Sequence, residues 1–370
     1  MIFYAIIFFV AIAYLALILS YSIGLKKVLS EKKSSTNERT NLSVIVAFRN
    51  EDKNLPVLLD ALLKQTLSGV LYELIFVDDH STDGSVSIVN SYKDRFIRLV
   101  QVASPVHVEG KKAALIYGVS HAQNPIVVFI DADCIPTNTW LETLSSRFSG
   151  DVDFAIGPVV LSPIDSFVRK LQSLEYSSLM AAAAGSFGVG HPVIASSANL
   201  AFRRELLSVN SNSLQSNVSS GDDMFLLHSA KKNVCKIDFL NDYNAIVHTN
   251  TEPILSSALR QRMRWASKSI YYKDFDTIFT SIVVFTFNLQ LFGLIVFSFI
   301  LIKYLFVFLC LLCAKSLVDF LLLKQYLRFT KQEELVKVFL PLQFLYPLYV
   351  VYTFFSGVII KTTLKGRRIR

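Results

Sequence analysis

The chain alternates between two kinds of hydrophobic pattern. Residues 2 to 23 (IFYAIIFFVAIAYLALILSYSI) form an apolar run without a charge, long enough to cross a bilayer. Three more apolar runs follow at 279–302, 304–323 and 338–360. Between residues 25 and 276 the apolar positions are instead short and punctuated. Leu42–Phe48, Leu71–Val77, Phe96–Val102 and Ile126–Ile130 read as buried strands. The segments between them, Asn54–Gln65, Asp83–Tyr92 and Gly110–His121, carry apolar residues at helical spacing. Strand and helix in alternation predict an α/β domain on a parallel sheet covered on both faces.

Of the 370 residues, 52% are hydrophobic, too many for a wholly soluble chain. The first run lacks a basic leading segment and a small-x-small cleavage site, so it reads as a retained anchor at 1–24. A domain at 25–276, a membrane region of two to three helices at 277–361 and a basic tail at 362–370 complete the division. The net charge of +8 is carried largely beside the apolar runs, at Lys26, Lys27, Lys32, Lys33, the Lys324–Lys337 loop and the tail. That placement fits the positive-inside rule and an anionic leaflet, and argues against a nucleic-acid partner. The four cysteines have neither a disulfide nor a zinc spacing, which suits a cytosol-facing domain.

An outside N terminus places 25–276 and the Lys324–Lys337 loop inside. A full fourth crossing then leaves the basic tail outside, against the rule. Pro341 and Pro347 leave room for a re-entrant or interfacial last segment. Lys315 and Asp319, inside the third run, point to a protein- or water-facing helix.

Polar residues then cluster at strand ends. Arg49-Asn50-Glu51 follows the first strand, Asp78-Asp79-His80-Ser81 the second, and Asp131-Ala132-Asp133 the fourth. Any one of them reads as a turn or helix cap, as Asp83 does. Together they bring acids to the edge where parallel sheets bind ligands. Two carboxylates one residue apart repel unless a cation lies between them.

The segments SVIVAFRNE, ELIFVDDHSTDGS, EGKKAAL, VVFIDADC, SSANLAFRRELL, GDDMFLL and QRMRW occur in this order from about Leu42 to Lys268. In that set the sequence resembles the inverting glycosyltransferases of family 2. It is similar to their membrane-bound branch, which includes cellulose, hyaluronan and poly-N-acetylglucosamine synthases. The resemblance implies a GT-A fold: a Rossmann-like, mostly parallel sheet with helices on both faces, here with transmembrane helices at both ends. It implies that Asp79, with Asp78 less directly, contacts the nucleotide, and that Glu51 and the backbone near Ala47 border the base. It places Lys111 near the diphosphate; Lys112 reads equally as a solvated helix start. Asp131 and Asp133 match the metal motif, and oxygen ligands suit Mg²⁺ or Mn²⁺. Asp223 matches the catalytic base, at the start of a helix over Met224–Ala230, and Asp222 replaces the usual Glu. Gln261, Arg264 and Trp265 match QxxRW: Arg264 suits a diphosphate and Trp265 a sugar ring. That motif lies in a basic amphipathic helix, Ser256–Ser269, suited to a membrane surface. Asn199 matches a segment assigned to sugar or acceptor, with Ser197 where relatives carry Gly. Ala181–Gly190 reads as a loop, either a mobile acceptor loop or simply irregular; His191 and His248 read as structural.

The expectation is a membrane-anchored transferase in the cell (inner) membrane, its catalytic domain facing the cytosol. Its donor would be a nucleotide-sugar, most simply a UDP-sugar, and its acceptor a polysaccharide or glycolipid hydroxyl. Membrane lipids and partner subunits are the expected associates. The competing readings are a ceramide- or carotenoid-type lipid glycosyltransferase, a non-catalytic partner subunit keeping the fold, and a nucleotidyltransferase.

Overall fold

A computed structural model describes residues 2–31, 38–66, 72–93, 99–103, 110–208, 222–359, 363–364 and 367–368. Lys32, Lys33, Leu71, Phe96, Gly221 and most of the basic tail lie outside the described residues. In chain order the elements are α1 (Ile2–Ser30), β1 (Leu42–Phe48), α2 (Leu55–Leu63), β2 (Tyr72–Asp78), α3 (Ser85–Ser91), β3 (Leu99–Ala103), α4 (Lys111–Ser120) and β4 (Ile126–Phe129). There follow β5 (Cys134–Pro136), α5 (Trp140–Arg147), β6 (Phe154–Ile156), β7 (Val159–Ser162), α6 (Phe167–Gly188), β8 (Leu200–Arg203), α7 (Glu205–Ser208) and α8 (Asp222–Lys232). The remainder are β9 (Ile237–Phe239), β10 (Val247–Asn250), α9 (Leu255–Ala266), α10 (Phe275–Ser298), α11 (Lys303–Phe329) and α12 (Phe339–Ile359). The chain packs as two units, one of residues Glu31–Val160 and Ala195–Asn250, the other of Met1–Ser30, Leu161–Ile194 and Thr251–Arg370. The stretch 25–276 is thus divided: 161–194 and 251–276 pack with the apolar helices.

The first unit is built on a seven-stranded sheet, order β3-β2-β1-β4-β8-β6-β9. β1 pairs in parallel with β2 and β4, and β2 with β3. β8 alone runs antiparallel to its neighbours β4 and β6, so the sheet is mixed but mostly parallel. Consecutive residues of β1 and β4 are buried. Side chains alternate across a strand, so both faces are covered, which is why these segments read as unbroken apolar runs. Phe76, Phe129, Phe148, Phe154, Phe202 and Phe239 fill the core, with Phe129 edge-on to Phe202 at 5.1 Å. α4 lies close against β1 and β2: a Cβ on Gly118 would meet Ile45 Cγ2 at 2.5 Å. Phe48 is opposite Asp78 and Ile45 opposite Phe129, so β2, β1 and β4 end at one edge. A second sheet has the order β5-β10-β7.

The second unit is helical. Among the described residues, four helices are long and apolar enough to cross a membrane: Tyr4–Ser30, Phe275–Ser298, Lys303–Phe329 and Glu333–Ile359. The C-terminal region therefore supplies three such helices. Pro341 falls in the first turn of α12, where a missing N–H costs no helical bond, and Pro347 is carried inside a continuous helix. Ala181–Gly190, expected as a loop, is mostly the C-terminal half of α6. Its small residues admit α1 at backbone distance. A Cβ on Gly24 would lie 2.1 Å from the Gly185 carbonyl oxygen, and one on Gly188 2.0 Å from that of Gly24. This is how helices approach where apolar burial offers little drive.

Lys315 and Asp319 turn into the helical unit. Lys315 is 1% exposed and pairs with Asp319 one turn along α11. Its ammonium also donates to Gln343 Oε1 at 2.6 Å, while the Tyr14 hydroxyl donates to Asp319 Oδ1 at 2.8 Å. Three helices, α1, α11 and α12, are joined by one internally satisfied polar cluster.

Candidate active site

The site is assembled at the common edge of β2, β1 and β4. Asp78 closes β2, and its Oδ1 accepts the Ser81 N–H at 2.9 Å. Asp79 follows, 5% exposed; its own N–H donates to the Phe48 carbonyl at 2.8 Å, which ties it to the end of β1. Its Oδ1 accepts the Gly110 N–H at 3.0 Å and lies 3.3 Å from His80 Nδ1. Gly110 has φ +93°, a left-handed setting that glycine adopts without strain, and this delivers its N–H to Asp79. Asn50 (φ +53°) and His80 (φ +60°) hold the same region without that freedom. Such residues cost of order 1–3 kcal/mol each and persist only when surroundings over-determine them. Here Asn50 does so by bonding across the edge: its N–H donates to Ser81 Oγ, and its Oδ1 accepts the Thr82 N–H at 2.8 Å. Ala47, in β1, pairs with Val77. Asp83 Oδ1 accepts the Ser85 N–H at 3.0 Å at the start of α3, the capping role expected of it.

Lys111, first residue of α4, donates to Asp131 Oδ1 at 2.7 Å and to Ser197 Oγ at 2.8 Å. Among the described residues no such cation is bonded to Asp133. Burial foremost, and then the negative charges of Asp131 and Glu51, push its carboxyl up to about 6, with Lys111 pulling the other way. Glu51 is itself steadied by Asn54 Nδ2 at 2.6 Å. Asp131 and Asp133 share this strand end and offer hard oxygen donors, with Asp133 poorly compensated. A divalent cation fits that deficit, although among the described residues no three His, Cys, Asp or Glu side chains gather into a ready-made metal site.

α8 brings in Asp223, half-buried in its first turn, with Oδ1 accepting the Met224 N–H at 2.8 Å. Two contacts fasten that turn. The Ala195 N–H donates to Met224 Sδ at 3.4 Å, and the Lys112 ammonium stands 5.4 Å from the Phe225 ring centroid. Lys112 is thus buried rather than solvated, and joins α4 to α8. Of Asp222, the backbone at the start of α8 is what the structure describes.

Asn199 does not fit a sugar contact. It is 0% exposed, and its amide is fully used: Nδ2 donates to the Pro158 and Ala245 carbonyls at 3.0 and 2.7 Å, and Oδ1 accepts the Trp140 indole N–H at 3.0 Å. It braces the strands beneath the site. The neighbouring Ser197 is the one that reaches Lys111. His248 stands in β10 opposite Ile135, and burial pushes its imidazole down.

In the helical unit, Gln261, Arg264 and Trp265 lie on α9. One face of the Trp265 indole carries the Arg262 guanidinium, whose carbon is 4.0 Å from the ring centroid. Arg262 was not singled out from the sequence. His191 Nδ1 lies 3.1 Å from Asp276 Oδ1, also within the helical unit.

Residues 43–209 match the family model Glycosyl transferase family 2. Glycosyltransferase AglE of Haloferax volcanii is 33% identical over 119 residues, which is 32% of this chain and 39% of that protein. Cholesterol galactosyltransferase of Borreliella burgdorferi is 27% identical over 214 residues, 55% of this chain and 58% of that protein. The chain thus spans less than two thirds of either relative's length. The mannosyltransferase PcManGT of Pyrobaculum calidifontis, solved with GDP-Man and Mn²⁺, superposes with a TM-score of 0.55 at 20% identity, over 96% of this chain and 98% of that one. That likeness concerns the fold. On these matches, and on the mixed sheet with its strand-end acids, residues 43–209 are similar to glycosyl transferase family 2, and the fold is of the GT-A kind.

Proposed function

We propose that the protein is a membrane-anchored inverting glycosyltransferase that moves a sugar from a nucleotide-sugar, most simply a UDP-sugar, to a hydroxyl of a polysaccharide or glycolipid. The observation that carries this reading is the gathering of Asp79, Lys111, Asp131 and Asp133 at one sheet edge, with Asp133 pushed up to about 6. Charge that the protein leaves uncompensated in a pocket of strand ends is charge kept for a ligand.

Asp79 and Asp78 hold the nucleotide, with Glu51 and the Ala47 backbone beside the base. Asp131 and Asp133 would hold Mg²⁺ or Mn²⁺, which when bound supplies neutralisation of the leaving diphosphate's charge. The Lys111 ammonium, now on Asp131, adds a point charge for the diphosphate. Asp223 takes the proton from the acceptor hydroxyl as its oxygen attacks the anomeric carbon. The bond to the diphosphate oxygen breaks on the opposite face, and the configuration inverts. The N terminus of α8 favours the ionised Asp223 carboxylate this requires. Asp222 stands beside it in the motif. Through the QxxRW match, Arg264 is assigned the diphosphate, Trp265 the acceptor sugar and Gln261 a substrate contact.

The domain would face the cytosol, where sugar nucleotides are made, in the cell membrane, with lipids and partner subunits as associates. A lipid acceptor is the second reading, favoured by the four membrane-length helices and by the name of the Borreliella relative. The test uses purified full-length protein in detergent with Mn²⁺, a panel of nucleotide sugars and a membrane lipid extract. Release of nucleoside diphosphate with one donor supports a transferase and names its sugar. Pyrophosphate as the product would indicate a nucleotidyltransferase, and a protein that binds no nucleotide would overturn the reading.

A further inference from the structure

Arg262 and Met263 are the unassigned residues inside Gln261-Arg262-Met263-Arg264-Trp265, and the structure buries the charged one, Arg262. Its Nη2 ion-pairs with Glu175 Oε2 of α6, and both side chains are almost fully withdrawn from solvent. The Tyr349 hydroxyl of α12 donates to Glu175 Oε1 at 3.3 Å. The guanidinium carbon stands over its helical neighbour three residues on, 4.0 Å from the Trp265 centroid, and 5.6 Å from that of Tyr176. Tyr176 and Trp265 meet at 5.9 Å with their planes 49° apart. Trp265 itself remains half-exposed.

Stability alone does not account for this arrangement. Buried ion pairs are weak sources of stability, because desolvation offsets the attraction and apolar pairs of similar volume often do as well. Arg262 Nη1 is in addition buried without a hydrogen-bond partner, a further cost. What the pair does achieve is orientation. Glu175 fixes the guanidinium, and the planar guanidinium fixes the indole through cation–π contact. A lysine in its place would supply charge without the flat surface.

We infer that Glu175 and Arg262 are positioning residues for Trp265, holding the indole so that one face is covered by Arg262 and the rest is set for an acceptor sugar. The inference rests on the acceptor role proposed above for Trp265. α6 and α12, through Glu175 and Tyr349, thereby fix the orientation of a side chain on α9.

The test uses the full chain in detergent with Mn²⁺, the donor identified by the panel, and titrated membrane lipid extract as acceptor probe. Variants are Glu175→Gln, Arg262→Lys, Trp265→Ala, the double Glu175→Gln/Trp265→Ala, and the apolar pair Glu175→Leu/Arg262→Met. The last retains folding if the ion pair itself cannot be broken alone. Glu175→Gln and the apolar pair are expected to raise the acceptor KM about tenfold while moving the donor KM less than about twofold. Arg262→Lys should not restore the acceptor KM. The double variant with Trp265→Ala should be no worse than Trp265→Ala alone, the signature of one residue acting through the other. Tryptophan emission gives a readout independent of turnover. The chain has two tryptophans, and Trp140 belongs to the sheet unit, so a red shift in Glu175→Gln reports release of Trp265. An unchanged acceptor KM with unchanged emission overturns the inference, as does full additivity in the double variant. If Trp265→Ala leaves the acceptor KM unchanged, the acceptor role of Trp265 is what fails. The emission of Glu175→Gln then decides positioning by itself: shifted supports it, unshifted overturns it.

Discussion

The two units treat buried charge in opposite ways. In the helical unit each buried ion has its counter-ion built in: Lys315 has Asp319, and Arg262 has Glu175. At the edge of the sheet the Lys111 ammonium is bonded to Asp131, while the neighbouring Asp133 is pushed up to about 6. Closed clusters belong to the architecture, and the raised Asp133 is what sets the sheet edge apart from them. Both kinds look alike in sequence, as charged residues in apolar surroundings. Their compensation separates them.

The contrast breaks most sharply at Asp223. Asp223→Asn should lower transfer by about 10²–10⁴-fold, the range for a positioned general base, while nucleotide affinity stays unchanged. Product release and nucleotide titration on one preparation measure both, and normal turnover would remove Asp223 as the base. In the helical unit, Lys315→Met strands Asp319 and should destabilise the protein by about 3–5 kcal/mol, whereas Lys315→Met/Asp319→Leu should recover most of that loss. Thermal denaturation in detergent checks it; if the single variant is neutral, the cluster is no closed unit.

Asp133→Ala should leave nucleotide affinity the same with and without Mn²⁺, by contrast with a strong metal dependence in the parent chain. Trp140→Phe should cost about 1–3 kcal/mol by orphaning the Asn199 amide oxygen, without changing donor KM, a combination that confirms Asn199 as a brace. The smallest effect concerns pH. The Asp133 carboxyl sits at about 6, above its ordinary value, so it takes up a proton as pH falls through that value. Mn²⁺ affinity should then drop by up to about tenfold per pH unit below 6 and level off above it. For the metal-free protein the sign is reversed. The folded state holds this proton between pH 4 and 6 and the unfolded chain does not, so stability falls as pH rises across that window.

What the sequence discloses follows from how local the cause is. The parallel strands and their terminal acids are legible because burial on both faces leaves an unbroken apolar run that ends abruptly at polar residues. β8 is less so: four residues, Leu200–Arg203, take their direction from β4 and β6, which are remote in the chain. The small residues of α6 look like a loop, since nothing in AAAAGSFG says that another backbone needs the space. Asn199 follows a motif match, and only its saturated amide reveals the brace. Arg262 leaves a faint trace, an arginine one helical turn before a tryptophan. Its partner Glu175 is 87 residues away (262 − 175) and has no local signal.

The close contact of Gly24 with Gly185 and Gly188 also bears on the order of assembly. About 160 residues separate the two sides of that contact, so at ~5–20 residues per second α1 is made roughly 8–30 s before α6. During that interval its glycine face lacks the α6 contact. An added methyl at Gly24 should therefore show first as slow maturation rather than as loss of the finished protein.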